Sequence, residues 1–258
     1  MKTQLRILLA TAIAFVSVAA AQASEFNRPW LEDTAIVIDP YQGNPLDFDA
    51  LEKDPRVAGI IHKATQGLKQ DRRYSERRAE ALRRGYLWGS YHLLTRGDPK
   101  AQIDHYLETV GIRADETYAL DVECLPQTED CQFESLKVAP EAVETALRHF
   151  KDQTGFYPLL YLNGGNRGIL EARWAHTDEF DQVPLWYARF RNDISSLFPG
   201  DVWPSYELLQ FASEINCGPG KNACPYDIPG IADDMDINLY WGNVETLKAN
   251  WPLKGSPN

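Results

Sequence analysis

The feature that most restricts the fold is an alternation of short β-rich runs with helical stretches through the first two thirds of the 258-residue chain. "TAIVID" (34–39) predicts a strand, a short helix follows around Phe48 to Lys53, and "VAGIIHKAT" (57–65) predicts a second strand. An Arg-rich helix over 72–84 closes at Gly85, "YLWGSYHL" (86–93) is a third strand, and Pro99 opens a helix running to Gly111. "TYALDVE" (117–123) is the fourth strand, followed by a helix from about Pro140 to Thr154. "YPLLYLN" (157–163) is the fifth strand and "NRGILEARW" (166–174) a shorter helix. Beyond these, "VPLWYARF" (183–190), "YELLQFAS" (206–213) and "DMDINLYW" (234–241) read as strands whose links carry Pro, Gly, Asn and Ser without helical periodicity. Each parallel neighbour needs a crossover, so β-α alternation calls for a parallel sheet, and eight strands permit closure. The expected fold class is α/β: a parallel barrel of TIM type, irregular, with about five β/α units followed by three strands with few helices. An open doubly wound sheet is the competing architecture, but the glycine fingerprint it often carries is absent after the first strand.

With 44% hydrophobic and 24% charged residues the chain can bury one barrel-sized core, and no linker or low-complexity tract suggests a second domain. Lys2 and Arg6 precede an apolar stretch from Ile7 to Ala21 and a small-residue site at Ala21-Gln22-Ala23. Residues 1–23 therefore read as a cleaved signal peptide, because the apolar run is shorter than the roughly 20 residues of a spanning helix. Residues 24–258 form the expected barrel domain, secreted or periplasmic, with no stable membrane insertion after cleavage. Loss of Lys2 and Arg6 takes the formal charge from -11 to -13, which disfavours nucleic acid as a partner. The Arg pairs at 72/73, 77/78 and 83/84, interleaved with Glu76 and Glu80, read as a solvated helix face with i,i+4 ion pairs.

Export makes the four cysteines candidates for oxidation. Cys124 with Cys131 and Cys217 with Cys224 repeat one short interval, so local pairing is favoured among three connectivities. Six intervening residues without a nearby histidine fit zinc poorly, and no metal or organic cofactor is called for.

In a parallel barrel the chemistry collects at the carboxyl ends of the strands. Those ends carry Asp39, Lys63 with Thr65, Tyr91 with His92, Asp121 with Glu123, Tyr161 with Asn163, Trp186 with Tyr187, Gln210 and Asp236. Carboxylates among aromatics suit a sugar, whose C–H faces stack on rings while its hydroxyls need carboxylates and amides. Asp121 and Glu123 stand at i and i+2, on one face and about 6.6 Å apart along the strand, so both can address one bond. Like charges at that range disfavour joint ionisation, and the more buried member is expected to keep its proton for a leaving oxygen. The partner carboxylate would then face an oxocarbenium-like transition state. Asp-x-Glu alone is a weak motif; its place at the end of an apolar strand gives it weight.

"IDPYQG" (38–43), "HKATQG" (62–67), "GSYHLL" (89–94), "LDVE" (120–123), "TGFYPLLYLN" (154–163), "PLWYARF" (184–190), "LLQFAS" (208–213) and "DMDIN" (234–238) together resemble, in order, the motifs of the glycoside hydrolase family 25 lysozymes. The resemblance runs from about Thr34 to Gly242 and implies an incomplete barrel of five β/α units and three further strands. It also implies N-acetylmuramidase activity on peptidoglycan glycan strands, with Glu123 as general acid and Asp121, Asp39 and Asp236 as the other acids of the pocket. Tyr91, Tyr161, Trp186 and Gln210 would line the sugar site. Lys63 would supply a charge or hydrogen bond there, or else pair structurally with Asp39. His62 and His92 read as packing or hydrogen-bonding residues. Backbone spacing fits either a retaining or an inverting separation of the two carboxylates, and either attack by Asp121 or its orienting of the substrate's 2-acetamido group; the resemblance favours retention through that group. Two departures stand out: Tyr206 and Leu209 before Gln210, which would alter one subsite, and the loop "ECLPQTEDCQF", which a Cys124–Cys131 bridge would pin beside Glu123. A non-catalytic peptidoglycan- or chitin-binding protein on the same barrel, or a chitinase, is the alternative function.

Overall fold

The computed structural model describes residues 33–126, 131, 133–190, 195–213, 228–231 and 235–255. The expected signal peptide, Cys217 and Cys224 lie outside these residues. Among the described residues no helix is long and apolar enough to cross a membrane.

Eight strands close into a barrel: β1 (Thr34–Ile38), β2 (Val57–Gln66), β4 (Leu87–Leu93), β5 (Thr117–Val122), β6 (Leu159–Asn163), β7 (Leu185–Ala188), β8 (Leu208–Ala212) and β9 (Ile237–Asn243), with β1 pairing both β2 and β9. A two-residue strand, β3 (Lys69–Gln70), folds back on the end of β2 as a hairpin. Helices α1 (Phe48–Leu51), α2 (Tyr74–Arg83), α3 (Pro99–Val110), α4 (Pro140–Thr154) and α5 (Gly164–Trp174) occupy the five expected β/α connections. A sixth helix, α6 (Val244–Asn250), follows β9 and had no counterpart in the sequence reading.

Around the barrel, the hairpin strand β3 apart, the pairings from β1 through β8 are parallel, whereas β9 is antiparallel to both β8 and β1. An antiparallel neighbour starts at the end where its predecessor stopped, so no helical crossover is required. This reversal decides where Asp236 goes: the residue just before β9 arrives at the rim that carries the carboxyl ends of the other seven strands.

Local sequence explains the helices that hold the barrel. In α4 Val143, Ala146, Leu147 and Phe150 recur at i, i+3, i+4 and i+7 and are all buried, giving one apolar stripe toward the sheet. Pro140 stands at its first turn, and Gly155 ends it at φ 83°, a left-handed conformation that favours glycine. Trp88, Tyr106, Tyr118, Phe150 and Trp174 fill the layer between sheet and helices. Inside the barrel Val37, Ile61, Ala119, Leu159 and Leu208 form a second cluster, closed by Leu247 of α6 and by Leu253. Gly89 belongs to this tight packing: a Cβ there would lie 2.9 Å from the Thr117 carbonyl oxygen.

The Arg-rich helix departs from the solvated face expected of it. Arg83 and Arg84 do pair with Glu80. Arg77, however, is buried and donates to the carbonyls of Tyr41 (2.8 Å) and Asn44 (2.6 Å), fixing the loop after β1. Arg78 binds the buried Glu116, which Arg113 approaches at 3.7 Å. Arg78→Ala is therefore expected to cost about 3 kcal/mol, the low end for stranding a buried carboxylate, because Arg113 remains. Urea unfolding checks this; a loss below 1 kcal/mol would place Glu116 effectively in water.

Candidate active site

Period-2 alternation sends one residue of each strand pair into the barrel, and at the upper rim that set is polar and aromatic. The register places Lys63 beside Tyr91, Asp121 beside Tyr161, Tyr161 beside Trp186, and Gln210 beside Asn238. Trp186 is buried and takes edge contacts from Tyr91 and Tyr161, with ring centroids 6.3 and 5.2 Å away.

Asp39 sits at the centre of a hydrogen-bonded cluster. Its Oδ1 accepts from Asn238 Nδ2 at 2.5 Å and its Oδ2 from Gln210 Nε2 at 3.2 Å. Gln210 Oε1 in turn accepts the Tyr161 hydroxyl at 2.8 Å, and Asn238 Oδ1 accepts Trp186 Nε1 at 2.6 Å. Asp236 touches the same place, its carbonyl oxygen accepting the Asp39 amide at 3.3 Å. Burial and the nearby Asp236 and Asp121 charges outweigh the two amide donors and push the Asp39 carboxyl well above the usual range.

Asp121 behaves likewise. It is buried, its Oδ1 has no hydrogen-bond partner among the described residues, and burial followed by the Glu123 charge pushes its carboxyl well upward. The Lys63 ammonium opposes that shift and Asp236 adds to it. The four predicted acids thus converge. Burial chiefly, and then all four of Asp39, Asp121, Glu123 and Asp236, hold the Tyr91 and Tyr161 hydroxyls above their ordinary pKa.

One expectation changes here. Burial was expected to mark the proton donor, yet the buried member of the pair is Asp121, while Glu123 lies past the end of β5 and is exposed. Burial therefore favours the neutral form at Asp121. Glu123 is the member of the pair open to solvent.

The remaining predicted residues separate into those facing the cleft and those facing the helices. Lys63 makes no ion pair with Asp39 among the described residues; its Nζ lies 4.4 Å from the centre of the Tyr41 ring. His62 donates from Nδ1 to the Lys63 carbonyl at 2.7 Å and accepts from Arg77 at Nε2. Burial lowers it to about 4, and lowers His92, bonded to Thr65, to about 3, so both are neutral packing groups. Tyr187 and Leu209 face the helices, and Tyr206 packs on Phe198 and Trp241, so the departures before Gln210 change the outer core instead of a subsite. Asn238 and Tyr41 were missed as site residues. Both stand inside quoted motifs, and Asn238 follows Asp236 at i+2, the spacing that brought Asp121 and Glu123 together.

The chain carries the sequence pattern described as "Glycosyl hydrolases family 25" over residues 36–218. It belongs to that family. An autolytic lysozyme of Clostridium acetobutylicum is 36% identical over 235 residues, an alignment covering 80% of this chain and 66% of that protein. Two solved structures share the fold of this family 25 chain. A bacterial lysozyme from Streptomyces coelicolor has a TM-score of 0.63 and 18% identity, covering 83% of this chain and 95% of its own. A muramidase from Acremonium alcalophilum has a TM-score of 0.62 and 19% identity, covering 83% and 97%.

Cys124 and Cys131 are joined in a disulfide, as local pairing required, with Cα atoms 5.5 Å apart. The bridge closes a loop beginning one residue after Glu123. For so short a loop the chain-entropy model gives about 2.5 kcal/mol. Cys124→Ser with Cys131→Ser is expected to lower stability by about that amount in urea unfolding, and no change would mean that the bridge leaves the unfolded chain unconstrained.

Proposed function

We infer that this family 25 chain is an exported N-acetylmuramidase, cutting the β-1,4 bond between N-acetylmuramic acid and N-acetylglucosamine in peptidoglycan. The observation that carries this reading is the convergence of Asp39, Asp121, Glu123 and Asp236 on the aromatic rim formed by Tyr91, Tyr161 and Trp186. Rings give the sugar faces an apolar surface, while Gln210 and Asn238 hold Asp39, one of the carboxyl groups that answer its hydroxyls and developing charge.

Glu123 donates a proton to the glycosidic oxygen as the bond breaks. A glycan lying across the mouth removes water from Glu123, and desolvation favours the neutral acid that must donate. Asp121, buried with an unpartnered oxygen, is suited to accept the N–H of the substrate's 2-acetamido group, whose carbonyl oxygen attacks the anomeric carbon as the oxygen protonated by Glu123 leaves; water, giving its proton back to Glu123, then opens the resulting oxazolinium ring with net retention. Lys63 stands within electrostatic reach of Asp121 and moderates its charge. Residues 1–23 direct export, residues 24–258 are the catalytic domain, and the glycan strands of the cell wall are the partner.

The purified protein is expected to clear a suspension of peptidoglycan and to release no reducing ends from chitin. Binding to either polymer without clearing would instead indicate a carbohydrate-binding module, and release from chitin alone a chitinase.

A further inference from the structure

The peptide that carries Glu123 has left the sheet, yet every carbonyl from 121 to 124 is bonded. Asp121 O accepts the Leu94 amide at 3.0 Å and Cys124 O the Val138 amide at 3.1 Å, both main-chain contacts. Between them the donors change to side chains. Val122 O accepts Asn166 Nδ2 at 2.8 Å, and Glu123 O accepts Asn163 Nδ2 at 3.0 Å. Asn166 also accepts the Leu125 amide on its Oδ1 at 3.1 Å, so one fully buried carboxamide brackets the acid from both sides.

The two asparagines act from one helical turn. Asn163 is the N-cap of α5, its Oδ1 accepting the Asn166 amide at 2.9 Å, which leaves its Nδ2 free to reach Glu123. Each amide therefore uses a donor and an acceptor in fixed directions, which neither a carboxylate nor an alkyl group can reproduce. An acid transfers its proton efficiently only when held within hydrogen-bond reach of the leaving oxygen, and a displacement of about 1 Å can cost on the order of 100-fold.

We propose that Asn166 and Asn163 are positioning residues that fix the main chain of Glu123 so that its carboxyl points at the scissile bond. The proposal rests on Glu123 being the general acid. The test uses Asn166→Ala and Asn163→Ser, the serine keeping a capping oxygen while losing the donor to Glu123. Both are assayed on a soluble peptidoglycan oligosaccharide, alone and combined with Glu123→Gln. Asn166→Ala is expected to lower kcat roughly 10- to 100-fold with KM within about twofold, and Asn163→Ser roughly 3- to 10-fold. In the Glu123→Gln background each effect is expected to fall below about twofold, because there is no longer an acid to aim.

An unchanged kcat in both variants, a loss carried by KM, or a loss that persists undiminished beside Glu123→Gln would overturn the proposal. If Asn166→Ala does not fold, as circular dichroism would show, Asn163→Ser carries the test alone. Full activity in Glu123→Gln by itself would instead defeat the assignment of the acid, and the positioning role with it.

Discussion

Glu123→Gln is expected to lower the rate of peptidoglycan clearing roughly 10²- to 10⁴-fold, the usual worth of a general acid, with binding of the glycan retained. The substitution is close to isosteric, and Glu123 is exposed beyond the end of β5, so thermal unfolding should move by no more than about 0.5 kcal/mol. That combination separates chemistry from folding. A variant that clears as fast as the parent would remove Glu123 from the reaction, and one that loses activity together with cooperative unfolding would show a structural group.

Asp121→Asn is expected to move stability and activity in opposite directions. The folded protein holds the Asp121 proton more tightly than the unfolded chain does, because burial and the Glu123 charge push its carboxyl upward from 3.8. Its contribution to stability is therefore complete below the unfolded value and is lost as pH rises through the folded value. Asparagine never ionises and escapes that loss. Relative to the parent, Asp121→Asn should gain stability between about pH 3.5 and pH 7, raising the midpoint by roughly 2 to 4 °C for each kcal/mol relieved. Activity should fall on the order of 100-fold, since the asparagine carboxamide can still accept the 2-acetamido N–H but carries no negative charge to stabilise the cation that develops there. Melting curves at the two pH values decide the matter: a difference between variant and parent that does not change with pH would mean Asp121 carries no excess proton affinity in the fold.

Much of this architecture was legible in the sequence because period and chemistry agreed. Alternation of β-rich runs with amphipathic helices gave the five β/α units, and strand-end residues gave the acids and rings of the rim. Strand direction was not legible at β9, since a run such as "DMDINLYW" reads alike in either direction. Asp236 was expected on the rim as a carboxyl-end residue; it reaches the rim instead from the amino end of β9, because that strand is reversed. Burial of Arg77 escaped detection for a different reason. Besides His62 its partners are the carbonyls of Tyr41 and Asn44, more than thirty residues away, and main-chain acceptors leave no mark on a sequence pattern. The same holds for Asn166, whose partners near Glu123 are all main-chain groups. The inversion of burial within the acid pair came from strand length: β5 stops at Val122, so the second acid falls outside the barrel that encloses the first.

The most direct test of the central claim is mass spectrometry of borohydride-reduced fragments released from purified peptidoglycan. Muramidase cleavage leaves N-acetylmuramic acid at the new reducing end, so every released glycan should carry reduced muramic acid at that terminus. Fragments ending in reduced N-acetylglucosamine, or no glycan release at all, would contradict it.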